Sequence, residues 1–207
     1  MKKIILLFCV LAFIFESHAQ DLDLIVGRNF TVYDYTNSQG EENPNLSGAS
    51  GSYYSITYSV PFNDKSQDLY YFLGLAVNQF NATGGDYASS YRWDTNYLGI
   101  RSGIKYMFTS PRSFIRAGVK TGFGLSKIIN GQQKINGTTF DLTSEDEFTA
   151  ISVEPFVGLE ARYFVSEKIG LGLGYVYSKS FGVANSDTEK LNFNNSRLEF
   201  GITVQVY

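Results

Sequence analysis

The stretch FIRAGVKTGFGLSKI, residues 114–128, decides the fold. Its members Ile115, Ala117, Val119, Phe123 and Leu125 share one parity, and Arg116, Gly118, Lys120, Gly122 and Gly124 share the other. A period of two sends alternate side chains to opposite faces of a strand, whereas an amphipathic helix needs apolar residues three and four apart. The segment is therefore a strand with one apolar face and one charged, glycine-rich face.

Seven further segments alternate in the same way. Leu22 to Tyr35, Gly51 to Phe62, Leu69 to Asn81 and Thr95 to Phe108 precede it; Phe148 to Val165, Lys168 to Val183 and Phe193 to Tyr207 follow. In the first, Arg28 interrupts the apolar parity of Leu22, Leu24, Val26, Phe30 and Val32, and reads as a bulge or a snorkelling arginine. Connections at Asn63 to Asp68, Thr109 to Ser113 and Ser166 to Glu167 are short. Those at Thr36 to Ser50, Ala82 to Asp94, Ile129 to Glu147 and Ala184 to Asn192 are longer and polar. Because short and long alternate strictly, all tight turns and both ends of the mature chain fall on one side. Asn130-Gly131 and Asn136-Gly137 are hairpin turn signals and predict a ribbon in the third long connection, leaving eight spanning strands.

The N-terminus reads as a signal peptide, residues 1–19, ahead of a single barrel domain, residues 20–207. Lys2 and Lys3 precede the apolar run Ile4 to Phe15, and Ser17-His18-Ala19 supplies small residues for cleavage. Cys9 lies inside that run without the neighbours a lipidation site needs and reads as a hydrophobic leader residue. The only histidine, His18, and the only cysteine leave with the leader. A mature chain without either type cannot build a Ser-His pair, a thiol nucleophile, a disulfide or a His/Cys metal site, so no enzyme activity, catalytic residue, metal or cofactor is expected. Lys2, Lys3 and Glu16 leave too, so 17 basic and 20 acidic residues become 15 and 19, and the formal net charge moves from −3 to about −4. That balance argues against a nucleic-acid partner.

Two weaker patterns read as structural. Ser144-Glu145-Asp146-Glu147 offers oxygen ligands to a divalent cation, but an acidic run on a surface loop is read as solvated. Gly170-Leu171-Gly172-Leu173-Gly174 lacks the nucleotide-loop spacing and a following helix, and reads as small residues beneath bulky neighbours.

The polar face decides between a soluble and a membrane barrel. It carries Arg101, Lys105, Arg116, Lys120, Glu154, Glu160, Arg162, Arg197 and Glu199. In a secreted or periplasmic lipocalin-like barrel these would face water; in a membrane barrel they line the lumen and the apolar face meets lipid. Aromatics gather near the strand ends. Tyr33, Tyr35, Tyr53, Tyr54, Phe80, Trp93, Tyr177 and Phe181 mark one rim, and Phe62, Tyr70, Tyr71, Tyr106, Phe108, Phe114, Tyr163 and Phe164 the other. Rings so placed read as interfacial girdles. Tyr87, Tyr91 and Trp93 also hint at a contact patch but read as part of the girdle. The expected fold is all-β: an eight-stranded antiparallel up-and-down transmembrane β-barrel. Eight strands enclose only their own side chains, so buried charges must pair, with Arg101, Arg116 and Arg162 neighbouring Glu154, Glu160 and Glu199.

These residues resemble the small eight-stranded outer membrane barrels of the OmpA and OmpX type over the whole mature chain. The ending Glu199-Phe200-Gly201-Ile202-Thr203-Val204-Gln205-Val206 is similar to the signal read by the barrel assembly machinery, with Glu199, Gly201, Val204 and Val206 at its polar, glycine and hydrophobic positions. It departs from that signal in having valines where aromatics are usual, and Tyr207 falls on the lumen parity. The resemblance implies a monomer in the outer membrane of a Gram-negative envelope, with membrane lipid and the assembly machinery as partners and an extracellular partner met through the long loops. No soluble domain is expected after the last strand. The expected role is a non-enzymatic barrel with a charge-plugged lumen that serves envelope stability or surface contact. The alternatives are a narrow, porin-like channel for ions or small solutes and a lipocalin-like ligand-binding barrel.

Overall fold

Backbone pairing converts the alternation into a closed wall. The computed structural model describes residues 20–36, 39–40, 46–63, 66–85, 90–108, 114–183 and 190–206; the expected leader, residues 1–19, and Tyr207 lie outside them. Its strands are β1 (Gln20–Thr36), β2 (Leu46–Asn63), β3 (Ser66–Gly85), β4 (Ser90–Phe108), β5 (Ile115–Ile135), β6 (Thr138–Asp141), β7 (Ile151–Phe164), β8 (Ile169–Val183) and β9 (Lys190–Val206). One helical turn, α1 (Asp146–Thr149), sits between β6 and β7. Every pairing is antiparallel, and β9 closes onto β1 with Gln20 opposite Val206. The wall thus has eight strands, and β6 stands outside it, paired only with the upper end of β5.

Register fixes the tilt. The paired residues Leu24, Ile56, Leu75, Ile100, Leu125, Val153, Phe181 and Asn192 lead once around the wall and return to β1 at Asp34, ten residues above the start. With a rise of about 3.3 Å per residue and strands about 4.8 Å apart, a stagger of that size over eight strands tilts them by about 41°. On β8 the uninterrupted run of apolar outward positions extends from Ile169 to Tyr177, where Lys179 breaks it, a band roughly 20–25 Å tall at that tilt, which matches the hydrocarbon layer.

The faces sort by parity. Leu24, Val26, Ile56, Leu73, Leu75, Ile100, Phe123, Leu159, Leu173 and Phe200 are exposed outward, whereas Asp23, Lys105, Glu154, Arg162, Arg197 and Glu199 are buried. A lipocalin-like barrel would have the opposite sidedness. Outward aromatics ring the short-turn end at Phe62, Tyr71, Tyr106, Phe108, Phe114 and Tyr163. Tyr33, Tyr53, Tyr70, Phe80 and Phe164, expected in the girdles, instead point inward and are buried.

The strands overrun the expected boundaries at the long-loop end. Above the apolar band polar outward positions appear at Arg28, Ser50, Ser52, Gln79, Asn81 and Asn96, beside Phe30 and Val32 on β1, yet backbone pairing continues. Arg28 stays on the outward parity at this polar edge and donates to Ser50 Oγ at 2.5 Å; β1 keeps one register past it, so no bulge is needed. The irregularity falls instead on β2 between Gly48 and Tyr53. There Gln79 Oε1 accepts from the Ser52 amide at 2.9 Å and Asn81 Nδ2 donates to the Ser50 carbonyl at 3.0 Å. Asn136 (φ 49°) and Gly137 (φ 88°) form the β5–β6 turn, the paired positive φ values that Asn-Gly accommodates. Asn130-Gly131 is not a turn: it lies inside β5, where Asn96 pairs with Asn130 and Tyr97 with Ile128, leaving Ile129 as an extra residue.

Two glycines let aromatic rings cross the lumen. Gly103 and Gly122 pair across β4 and β5, and a Cβ on Gly122 would lie 2.8 Å from Gly103 Cα and 3.0 Å from Phe156 Cζ. Phe156 packs there against Phe72, with centroids 6.1 Å apart. Gly122→Val is therefore expected to destabilise the barrel by about 1–3 kcal/mol, whereas Phe123→Leu on the outward face changes it by less than about 1.5 kcal/mol. Urea unfolding in lipid vesicles measures both; equal effects would contradict the crowding argument.

Candidate functional site in the lumen

The inward parity stacks side chains in tiers. At the short-turn end β1 contributes Asp21 and Asp23, β4 Lys105, and β7 Glu160 and Arg162. The Arg162 guanidinium spans both aspartates, 3.0 Å from Asp21 Oδ2 and 3.0 Å from Asp23 Oδ2, and reaches Glu160 Oε1 at 2.9 Å. Lys105 Nζ lies 3.4 Å and 3.3 Å from the same aspartate oxygens. Thr203 Oγ1 donates to Asp23 Oδ1 at 2.6 Å, and Gln205 Nε2 to Asp21 Oδ1 at 3.2 Å.

Lys120 joins this tier to the next, contacting Glu160 Oε2 at 3.4 Å and Glu199 Oε2 at 2.6 Å. In the middle tier Arg197, 0% exposed, donates from Nε to Glu199 Oε1 at 2.8 Å and from Nη1 to Asn78 Oδ1 at 3.2 Å. Its guanidinium lies 3.8 Å from the centroid of the Tyr53 ring. Arg101 donates to Tyr53 Oη at 2.8 Å and stacks 3.9 Å from the Phe156 centroid. Glu154, 1% exposed, stands 3.8 Å from Arg101 and 3.7 Å from Arg197. Those separations are too long for hydrogen bonds, so the attraction there is Coulombic.

Eight of the nine lumen residues singled out from the sequence meet in this chain of contacts. Arg116 does not: it is half-buried at the short-turn end, 4.3 Å from the Phe164 centroid. Asp21 and Asp23, not among the nine, take the acidic places. The network then counts five cations (Arg101, Lys105, Lys120, Arg162, Arg197) against five carboxylates (Asp21, Asp23, Glu154, Glu160, Glu199). The sequence signal was available, because Asp21 and Asp23 share the parity of Asn29 and Thr31. Neutral pairing is what a water-poor interior requires. The glycine run on β8 leaves space for it: a Cβ at Gly174 would lie 3.5 Å from Glu199 Oε2, and one at Gly172 would lie 3.9 Å from Arg162 Cγ.

Above the ions comes a polar tier of Asn29, Thr31, Ser126, Ser152, Ser178, Ser180 and Asn195, all buried. Several of its side-chain atoms, including both amide atoms of Asn195 and the Ser178 and Ser180 hydroxyls, have no hydrogen-bond partner among the described residues. An aromatic cap closes the long-loop end. Phe193 meets Tyr33 at 4.8 Å, Phe80 at 4.9 Å and Tyr97 at 5.7 Å between centroids. Tyr33 Oη donates to the Phe80 carbonyl at 2.8 Å, and the Thr95 hydroxyl donates to that same carbonyl. The chain after β6 folds back over the cap. Leu142 is pinned by its amide to the Gly131 carbonyl at 3.0 Å, and Tyr97 Oη donates to the Phe148 carbonyl at 3.2 Å.

The remaining patterns take no part in the lumen. Ser144 and Glu145 are exposed, and no group of three or more His, Cys, Asp or Glu able to hold a metal occurs among the described residues. Of the proposed assembly signal, Val204 and Val206 face outward on β9, Gly201 packs against Ile25, and Glu199 is bound in the lumen.

Solved structures of other proteins align with this chain. The structure of OprG from Pseudomonas aeruginosa, an outer membrane protein, aligns over 93% of this chain and 98% of that chain at 11% identity, with a TM-score of 0.59. Neisserial surface protein A aligns over 88% and 97% at 15% identity (TM-score 0.47), and Ail, the attachment invasion locus protein of Yersinia pestis, over 90% and 99% at 12% identity (TM-score 0.43). No curated protein matches the sequence. The model of the outer membrane protein beta-barrel domain matches residues 5–203, nearly the whole length. An apolar wall enclosing neutralised charge, in a chain matched over that span, makes this protein a member of the outer membrane β-barrel family.

Proposed function

We propose that this protein is a non-conducting, non-catalytic barrel of the outer membrane that holds its long-loop end at the cell surface, for envelope stability or surface contact. The observation that carries the reading is the filled cross-section. Arg197, Glu154, Tyr53, Tyr97 and Phe80 are all buried within a lumen only eight strands around. The cavities among the lumen charges are about 30 Å³ each, room for roughly one water. Salt links cross the lumen from β1 to β4 and β7 and from β9 to β5, so the strands cannot separate at one level without exposing ions. A rigid base of this kind suits the display of loops.

Purified protein in planar bilayers is expected to show no discrete conductance steps. Reproducible steps would overturn the closed-lumen reading in favour of a narrow channel, whose supporting observation is the under-bonded polar tier beneath the cap. The assembly machinery is the proposed partner in biogenesis. Before closure, the free β9 edge would present Gly201, Val204 and Val206, and Glu199 would still lack its cross-strand partners Lys120 and Arg101; Tyr207 lies outside the described residues.

A further inference from the structure

A groove of about 750 Å³ crosses the lipid-facing wall from β8 to β4. Its two banks are consecutive outward rows of the sheet. The lower follows the paired residues Ile202, Leu24, Ile56 and Leu75, and the upper follows Phe200, Val26, Tyr54, Val77 and Leu98. The row between them, Gly201, Ile25, Ser55 and Ala76, belongs to the inward parity, so the floor is backbone. Five strand steps of about 4.8 Å make the groove about 24 Å long. Because each step climbs with the stagger of the wall, the groove rises from Leu171 on β8, within the apolar band, to Leu98 on β4, at its polar edge. None of its lining residues is charged.

The two banks end differently. The lower continues through Ile100 onto Leu125, whereas Leu98 of the upper bank pairs with Lys127 on β5. Lys127 is exposed on the outward parity, and side chains directly opposite on one face of an antiparallel pair stand about 5 Å apart between Cβ atoms. The next outward residues above Val77 and Leu98 are the amides Gln79 and Asn96. Arg92 and Lys179, on the same edge of the barrel, are already paired with Asp94 and Asp34, at 2.9 Å and 3.6 Å; Lys127 has no carboxylate partner among the described residues. An uncharged groove at this depth takes an acyl chain, and a cation beside amides at its upper end takes an anionic headgroup. A neutral headgroup would leave Lys127 unpaired, and a free anion would leave the groove unused. We infer that this face holds one acyl lipid with a phosphate headgroup, its chain along the groove and its phosphate at Lys127. The inference holds whether or not the lumen conducts, so lipid binding and conductance can fail separately.

Native mass spectrometry counts the bound lipid. The full mature barrel in a neutral detergent is titrated with dipalmitoyl phosphatidic acid, with dipalmitoylglycerol, which has the same chains and no phosphate, and with inorganic phosphate. Phosphatidic acid is expected to saturate at one per barrel, dipalmitoylglycerol to bind at least tenfold more weakly, and inorganic phosphate to give no adduct. Lys127→Gln is expected to weaken phosphatidic acid at least fivefold, and Val77→Trp, which fills the groove, at least threefold. Lys134→Gln, further along β5 and equally exposed, removes the same charge and is expected to change binding by less than twofold. Heat-modifiable gel mobility shows that each variant is folded. Equal binding of the two lipids, equal effects of the two lysine variants, an adduct with inorganic phosphate as strong as that with the lipid, the absence of a saturable adduct, or a dimer that excludes the lipid would overturn the assignment.

Discussion

Replacing Arg197 by methionine is expected to lower the barrel's unfolding free energy by about 3–5 kcal/mol. The guanidinium touches Glu199 and Glu154, donates to Asn78 and covers the Tyr53 ring, with no access to solvent. Methionine fills part of the volume but leaves Glu154 and Glu199 with only Arg101 and Lys120 beside them, and the network as a whole one cation short, in an interior with little room for water to spread the charge. The loss comes from the stranded acids more than from the missing bond. Pairing the change with Glu154→Met restores charge balance and is expected to recover a substantial part of the stability. Arg28→Met, at the solvated outer edge, is expected to cost less than about 1 kcal/mol. Urea unfolding in lipid vesicles reads all three, and an Arg197→Met effect no larger than that of Arg28→Met would contradict the network as drawn.

The second large effect is on the opposite face. Leu173, 54% exposed in the middle of the outward band of β8, is expected to lose about 2–4 kcal/mol on replacement by arginine, because a charge at that depth has only hydrocarbon around it. Val32→Arg lies on an equally exposed outward position above the band, level with the polar edge, and is expected to change stability by about 0–1 kcal/mol. Similar losses at both positions would place the boundary of the band elsewhere on the wall.

The legibility of the fold and of the lumen differed for a physical reason. Alternation is a local property, so residues 114–128 alone disclose which face of β5 is apolar, and the same reading holds for Leu73 and for Arg197 on strands far away. The limits of the strands were less legible. Above the membrane polar residues break the outward apolar pattern, and Ser50, Thr83, Gly84, Asp94 and Gln132 read as loop although the backbone pairs there. Aromatics were ambiguous for a related reason. Tyr33 and Phe80 stand near strand ends like girdle residues, but their parity is inward, and a position along the strand does not distinguish a ring against lipid from a ring in a cap.

By itself the sequence determined an all-β barrel, the direction each strand faces, and an interior that must contain charge. The tertiary structure decided the partners. Asp21 meets Lys105 and Arg162 from positions 84 and 141 residues away, and Arg116, on the correct parity, meets an aromatic ring instead of an acid. A side chain's facing follows from its immediate neighbours in the chain, whereas its contacts follow from the ten-residue stagger with which β9 closes on β1. That stagger is a property of the whole wall and is written in no single strand.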